Sequence, residues 1–246
     1  MRFLGAARRV PGRGAVAVAW FDLWETLFEL LVRVVYRLRV DGKDQVPRTG
    51  PAIFVSNHQS FLDPVANGVA VQDRQFTAIA RRSLFRFPPV GWLLRSWGAI
   101  AIDEKRGEAE SLRAALAELA AGRCVLVYPE GTRSEDGRLK PFRRGFMLLQ
   151  RKSGSDVVPM AIAGSIDAWP KGQSLPGLSG RIQVKVGAPI PASELASLGS
   201  DAALERIRLE VARLLEEANA ELRRRTGGRW PLKRAPADPV PPGTAP

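Results

Sequence analysis

The chain of 246 residues contains one histidine, one cysteine and two tyrosines. A single cysteine excludes an intrachain disulfide framework and any cysteine-rich metal site. Cys124 lies in the apolar run CVLVY, where a small buried hydrophobe in a reducing, intracellular setting is expected. A single histidine excludes metal sites built on two or three imidazoles, and no metal is expected. No GxSxG elbow supplies a serine nucleophile, and no internal repeat is present. Acidic residues are scarce: 25 Asp and Glu stand against 37 Lys and Arg, a net charge of +12. That surplus suits phosphates, coenzyme A, an anionic membrane or nucleic acid, and charge alone does not choose among them.

A long uninterrupted hydrophobic run is also missing. A spanning helix needs about 20 mainly apolar residues. The most apolar stretch here is broken by Asp22, Glu25 and Glu29. Arginines precede it, as in a signal peptide, yet no clean small-residue cleavage site follows. Over residues 15–40, Trp20, Leu23, Trp24, Leu27, Leu31, Val34, Val35 and Leu38 recur at steps of three and four. This predicts an amphipathic helix, with Arg33 and Arg37 among the charges opposite. Such a helix fits the membrane interface, or packing on its own domain.

After the turn-rich DGKDQVPRTGP the pattern changes. Short apolar runs predict buried strands at 52–56, 75–80, 99–102, 123–128 and 157–162. The alternating RIQVKV at 181–186 predicts an edge or half-exposed strand. Helical patterns fall at 108–121, 142–152 and 201–225, the first stopped by Gly122. Alternating strands and helices predict an α/β fold, a mixed and mostly parallel sheet flanked by helices. The expected organisation is a membrane-associated helical segment at 1–45, a catalytic domain at 46–227 and a disordered Pro-rich tail at 228–246.

The lone histidine sits in SNHQSFLDP, where a strand ends and Asp63-Pro64 reads as the cap and first position of a helix. His58 is thereby placed at the carboxyl end of a strand, where open α/β sheets bind ligands. A loop that turns back can bring Asp63 to one ring nitrogen. The other nitrogen is then free to take a proton from a hydroxyl, and without a serine nucleophile that hydroxyl is the substrate's own. On spacing alone Asp63 also fits a plain helix cap.

A second constellation, YPEGTRS followed by GRLKPFRRG, comes after another strand. Gly131 permits close backbone approach, Glu130 can accept from hydroxyls, and Arg133 can fork onto a phosphate. Arg138, Lys140, Arg143 and Arg144 add positive charge. Alone, the stretch also fits a turn with a solvated basic loop. A third stretch, residues 81–103, mixes arginines with Phe85, Phe87, Trp92 and Trp97. Its prolines and GWLLRSWG favour a shaped apolar surface, for lipid or an acyl chain, over base stacking.

Taken together, NHQSFLD, RRSLFRFPPVGWLLRSWGAIAID, YPEGTRS and VVPMAI resemble the four ordered blocks of the glycerolipid acyltransferase family, and within it the bacterial lysophosphatidate acyltransferases. The resemblance implies transfer of a fatty acyl group from acyl-CoA or acyl-carrier protein to the free hydroxyl of 1-acyl-glycerol-3-phosphate, giving phosphatidic acid. No cofactor is implied beyond that co-substrate. It casts His58 as base, Asp63 as its partner, and Glu130, Gly131, Thr132 and Arg133 as the acceptor-binding block; Pro159 matches the fourth block. The basic neighbours Lys140 and Arg143 are candidate phosphate contacts. The family's second block ends Ile-Asp-Arg, whereas this chain has Glu104 there, with Lys105 and Arg106 next to reach the phosphate. That departure leaves another lysolipid, such as a lyso-ornithine lipid, open as acceptor. The implied location is the cytoplasmic face of the cell membrane, with lipid and acyl donor as partners and no nucleic acid. A non-catalytic basic module that binds membrane or nucleic acid is the competing reading.

Overall fold

The computed structural model describes residues 15–71, 74, 76–86, 88–96, 99–102, 107–173 and 175–232. Lys105 and Arg106 lie outside them, as do residues 1–14 and 233–246. Among the described residues, seven strands form one sheet: β1 (Arg39–Asp41), β2 (Ala52–Ser56), β3 (Phe76–Arg81), β4 (Ile100–Ile102), β5 (Cys124–Val127), β6 (Asp156–Ala163) and β7 (Gln183–Val186). Their order is β1-β7-β6-β2-β5-β3-β4. Every pairing is parallel except β6 with β7, so the sheet is mixed and mostly parallel, as expected.

β2 is buried at all five positions, because its alternate residues enter different cores. Phe54 packs with Leu62, Ala66 and Val69 on one face. Ile53 and Val55 pack with Ala115, Leu119, Phe146, Ile207 and Val211 on the other. A strand covered on both faces reads as a continuous apolar run rather than an alternating one. The covering helices are α1 (Ala15–Val35) and α2 (Asp63–Ala70) on the first face, with α4 (Gly107–Ala120), α5 (Gly145–Ser153) and the long α8 (Ser200–Thr226) on the second. The other α-helices among the described residues are α3 (Pro88–Ser96), α6 (Ser165–Ala168) and α7 (Ala192–Ser197).

Two expectations require correction. The helix predicted over 15–40 ends at Val35. Arg37 adopts a left-handed φ of 44°, which breaks the helix, and Arg39–Asp41 then pairs with β7. Leu38, counted as part of the helix stripe, is a core residue of the turn. The strand expected to be an edge or half-exposed, β7, is interior, because β1 covers its outer side; Val184 is fully buried, and of its four residues only Lys185 is part-exposed. At the far end, Trp230 packs against the α8–β6 core and the Leu232 amide donates to Asp167 Oδ2 at 2.8 Å.

On α1, Leu23, Leu27, Leu30, Leu31 and Val34 are exposed, whereas Val32 and the following Tyr36 are buried. Trp20 meets Trp92 of α3 edge-on, with ring centroids 5.5 Å apart. Among the described residues no helix is long and apolar enough to cross a membrane.

β6 leads toward the site through Gly164, at φ 80°. A Cβ there would overlap the Arg181 carbonyl and lie 2.7 Å from Leu222 Cδ2. Gly164→Ala is expected to destabilise the fold by about 2–5 kcal/mol, from a left-handed backbone at about 1–2 and overpacking at about 1–3. Urea unfolding measures this; a loss of only about 1–2 kcal/mol would show that the Arg181 carbonyl moves aside and leaves the backbone cost alone.

Candidate active site

The parallel strands β6, β2 and β5 end at one edge of the sheet, with Ser56 opposite Met160 and Val55 opposite Val127. The site is built there. Asn57 continues β2 with its side chain: Nδ2 donates to the Ile162 carbonyl at 2.9 Å, and Oδ1 accepts the Ile162 amide at 2.8 Å. The chain then turns sharply into α2, and one oxygen holds the turn. Asp63 Oδ2 lies 2.8 Å from His58 Nδ1 and accepts the amides of Gln59 at 2.5 Å and Ser60 at 2.7 Å. Asp63 is the first residue of α2, and no side chain caps that helix. The expected cap role is therefore replaced: the carboxylate gathers the preceding loop. Its side chain is 0% exposed and that of His58 is 20% exposed. With Nδ1 bound to the aspartate, the imidazole has Nε2 to offer.

The loop after β5 holds His58 from its backbone. Glu130 Oε1 accepts the His58 amide at 2.7 Å, and the His58 carbonyl accepts the Ser134 amide at 2.7 Å. Glu130 Oε2 accepts the Lys140 amide at 2.9 Å. Glu130 was expected to receive substrate hydroxyls. Instead, both of its oxygens join backbone segments, and only 4% of the residue is exposed. Burial raises its carboxyl to about 7, against the pull of the Lys140 and His58 amides.

Gly131 adopts φ 70°, and its amide donates to the Tyr128 carbonyl at 3.0 Å, which leaves it unavailable to an oxyanion. The Arg143 side chain passes where a Cβ on Gly131 would stand. Lys140 Nζ donates to the Arg133 carbonyl at 3.1 Å. The Arg133 guanidinium lies 3.5 Å from the centre of the Phe61 ring, a cation–π contact, and Phe61 in turn meets Trp169 at 5.2 Å. Thr132 is half-buried on the same loop, and Arg143 is exposed. His58, Asp63, Glu130, Gly131, Thr132, Arg133, Lys140 and Arg143 thus gather around two strand ends. The structure adds Tyr128, stacked on His58, and Trp169, whose carbonyl accepts Ser60 Oγ–H at 2.9 Å. Among the described residues no three His, Cys, Asp or Glu side chains form a metal-binding group.

The chain matches the acyltransferase family profile over residues 37–163. It is 32% identical over 200 residues to bovine 1-acyl-sn-glycerol-3-phosphate acyltransferase alpha, covering 79% of this chain and 69% of that one. It is 31% identical over 170 residues to the chloroplastic 1-acyl-sn-glycerol-3-phosphate acyltransferase LPAT1 of Arabidopsis thaliana, covering 68% of this chain and 47% of that one. The chain spans about half the length of such chloroplastic relatives and of one from Chlamydomonas reinhardtii. The solved structure of the 1-acyl-sn-glycerophosphate acyltransferase PlsC from Thermotoga maritima shares the fold, with a TM-score of 0.69 at 24% identity over 88% of this chain and 83% of that one.

The raised Glu130 carboxyl gives a stability test. A group whose value in the folded protein lies above its ordinary value stabilises the fold below the ordinary value, and that contribution is lost as pH rises through the folded one. The unfolding free energy of the native protein minus that of Glu130→Gln should therefore fall as pH rises from 4.5 to about 7. A difference independent of pH would show that Glu130 takes up no proton in that window.

Proposed function

The chain belongs to the acyltransferase family, and from that premise we propose that it transfers a fatty acyl group from acyl-CoA or acyl-carrier protein to the free hydroxyl of 1-acyl-glycerol-3-phosphate, giving phosphatidic acid. The observation that carries this reading is the 2.8 Å contact between His58 Nδ1 and Asp63 Oδ2, at the edge where three strands end, which leaves Nε2 to meet a substrate hydroxyl. His58 Nε2 takes the proton of the acceptor hydroxyl as its oxygen attacks the thioester carbonyl carbon. Asp63 supports the imidazolium that forms. The tetrahedral adduct collapses with cleavage of the C–S bond, and the imidazolium returns its proton to the departing thiolate. General-base catalysis of this kind supplies about 10²–10⁴-fold, and positioning supplies the rest. Arg133, with Lys140 and Arg143 on the same stretch of chain, receives the acceptor phosphate; its fork suits that anion. Glu130 and Gly131 serve by shaping that loop rather than by touching substrate.

His58→Ala is expected to lower acyl transfer at least about 10²-fold while the protein stays folded. Purified protein, a panel of lysolipids and radiolabelled acyl-CoA measure this, with the lipid product identified. Near-native turnover by the folded variant would sink the base assignment. A product formed only from lyso-ornithine lipid would move the acceptor assignment.

The enzyme works at a lipid surface, on the cytoplasmic face of the membrane, with α1 lying in the interface. The stripe Leu23, Leu27, Leu30, Leu31 and Val34 is exposed beside Trp92, and the surplus of positive charge favours anionic lipid. Replacing Leu27, Leu30 and Leu31 with Gln touches no buried side chain, so the fold should hold. Binding to vesicles of anionic phospholipid should fall sharply in a flotation assay. Unchanged flotation would place the attachment elsewhere, and resistance of the native protein to alkaline carbonate would contradict an interfacial helix.

A further inference from the structure

Tyr128 directly follows β5, and the mechanism above gives it no part. Its ring lies face to face with the His58 imidazole, with centroids 4.1 Å apart and planes 16° from parallel. Its hydroxyl oxygen accepts a hydrogen bond from Asn67 Nδ2 at 3.2 Å. Asn67 stands one helical turn after Asp63 on α2, and both residues are fully buried. Each has an oxygen left over: Asp63 Oδ1 and Asn67 Oδ1 are buried without a hydrogen-bond partner. Such oxygens are costly to leave unsatisfied, a carboxylate oxygen most of all.

The Tyr128 hydroxyl still holds one proton after accepting from Asn67. Desolvation, and then the charge of Asp63, push the phenol well above its usual range, while the Asn67 amide opposes them. The phenol is therefore a donor at neutral pH, and the Asn67 that it is bonded to stands one helical turn from Asp63. Of the two carboxylates around His58, Glu130 has both oxygens occupied by amides and Asp63 has one to spare.

We infer that Tyr128 is a positioning residue for His58, acting on it in two ways. The ring face stops the imidazole from turning. The hydroxyl, held by Asn67, donates a hydrogen bond toward Asp63 Oδ1 through one buried water, and so keeps Oδ2 aimed at Nδ1. The catalytic half of this inference rests on the base role proposed for His58; the conformational half does not.

Tyr128→Phe keeps the ring and removes only the proton, whereas Tyr128→Leu removes both. His58 is the only histidine, so the ¹⁵N imidazole spectrum reports this side chain alone. Tyr128→Phe should convert a single Nδ1–H tautomer into a mixture with Nε2–H. Its kcat should fall about tenfold with acceptor KM within about twofold of native, the pattern of a base worth about 10²–10⁴-fold that is retained but misaimed. Tyr128→Leu should lose more kcat, and Asn67→Ala should follow Tyr128→Phe in direction. A plain packing role for Tyr128 would leave both the tautomer and kcat unmoved in the Phe variant, and that result overturns the inference. A rise in KM with kcat unchanged also overturns it. A tautomer change in Tyr128→Phe, together with no acyl transfer by the native protein, would uphold the positioning and remove the acyltransferase reading instead.

Discussion

One buried oxygen, Asp63 Oδ2, holds three donors, and the geometry of the site depends on it. Without it the amides of Gln59 and Ser60 would be buried and unpaired, and the turn from β2 into α2 would lose its shape. Buried polar networks of this kind are strong when complete and expensive when broken. The second clamp, Glu130, closes the β5 loop onto the same turn through the His58 amide. The His58 side chain is thus fixed through Asp63 and its backbone through Glu130 and Ser134. Neither clamp works alone, because each corrects only one of the two freedoms of the residue between them.

Much of this was legible in the sequence because burial on both faces leaves a plain signature. The runs around β2, β5 and β6 read as strands for that reason, and the stripe of α8 read as a helix. β1 was not legible. It has three residues, and Leu38 continues the helical spacing of α1, so only the left-handed turn at Arg37 separates the two. The interior place of β7 could not be read either, since it depends on β1 being there to cover it.

At the site, the pairing of His58 with Asp63 followed from residue types and the need for a returning loop. The reason Asp63 is buried did not. A cap is read from the residues that follow it, whereas the donors to this carboxylate come from residues before it. Glu130 was read as facing substrate because backbone amides leave no trace in sequence; its two partners are amides from segments 72 and 10 residues away. Lys140, Arg143 and Arg133 were legible as charge, but the seat of Arg133 on Phe61 needed the fold to bring the two loops together.

The way α1 is mounted has a mechanical consequence. Val32 and Tyr36 sink into the same core as Phe54, and the Tyr36 hydroxyl donates to the Gly177 carbonyl at 2.8 Å, on the segment that follows Trp169. The helix is bolted to the body of the sheet, not hung from it on a tether. When α1 lies along a lipid surface, the height of His58 above that surface is set by the fold. Under the proposed function the protein then acts as a depth gauge: an acceptor hydroxyl is reached when it floats at that level, and one carried higher or lower must be lifted or drawn down before any chemistry begins.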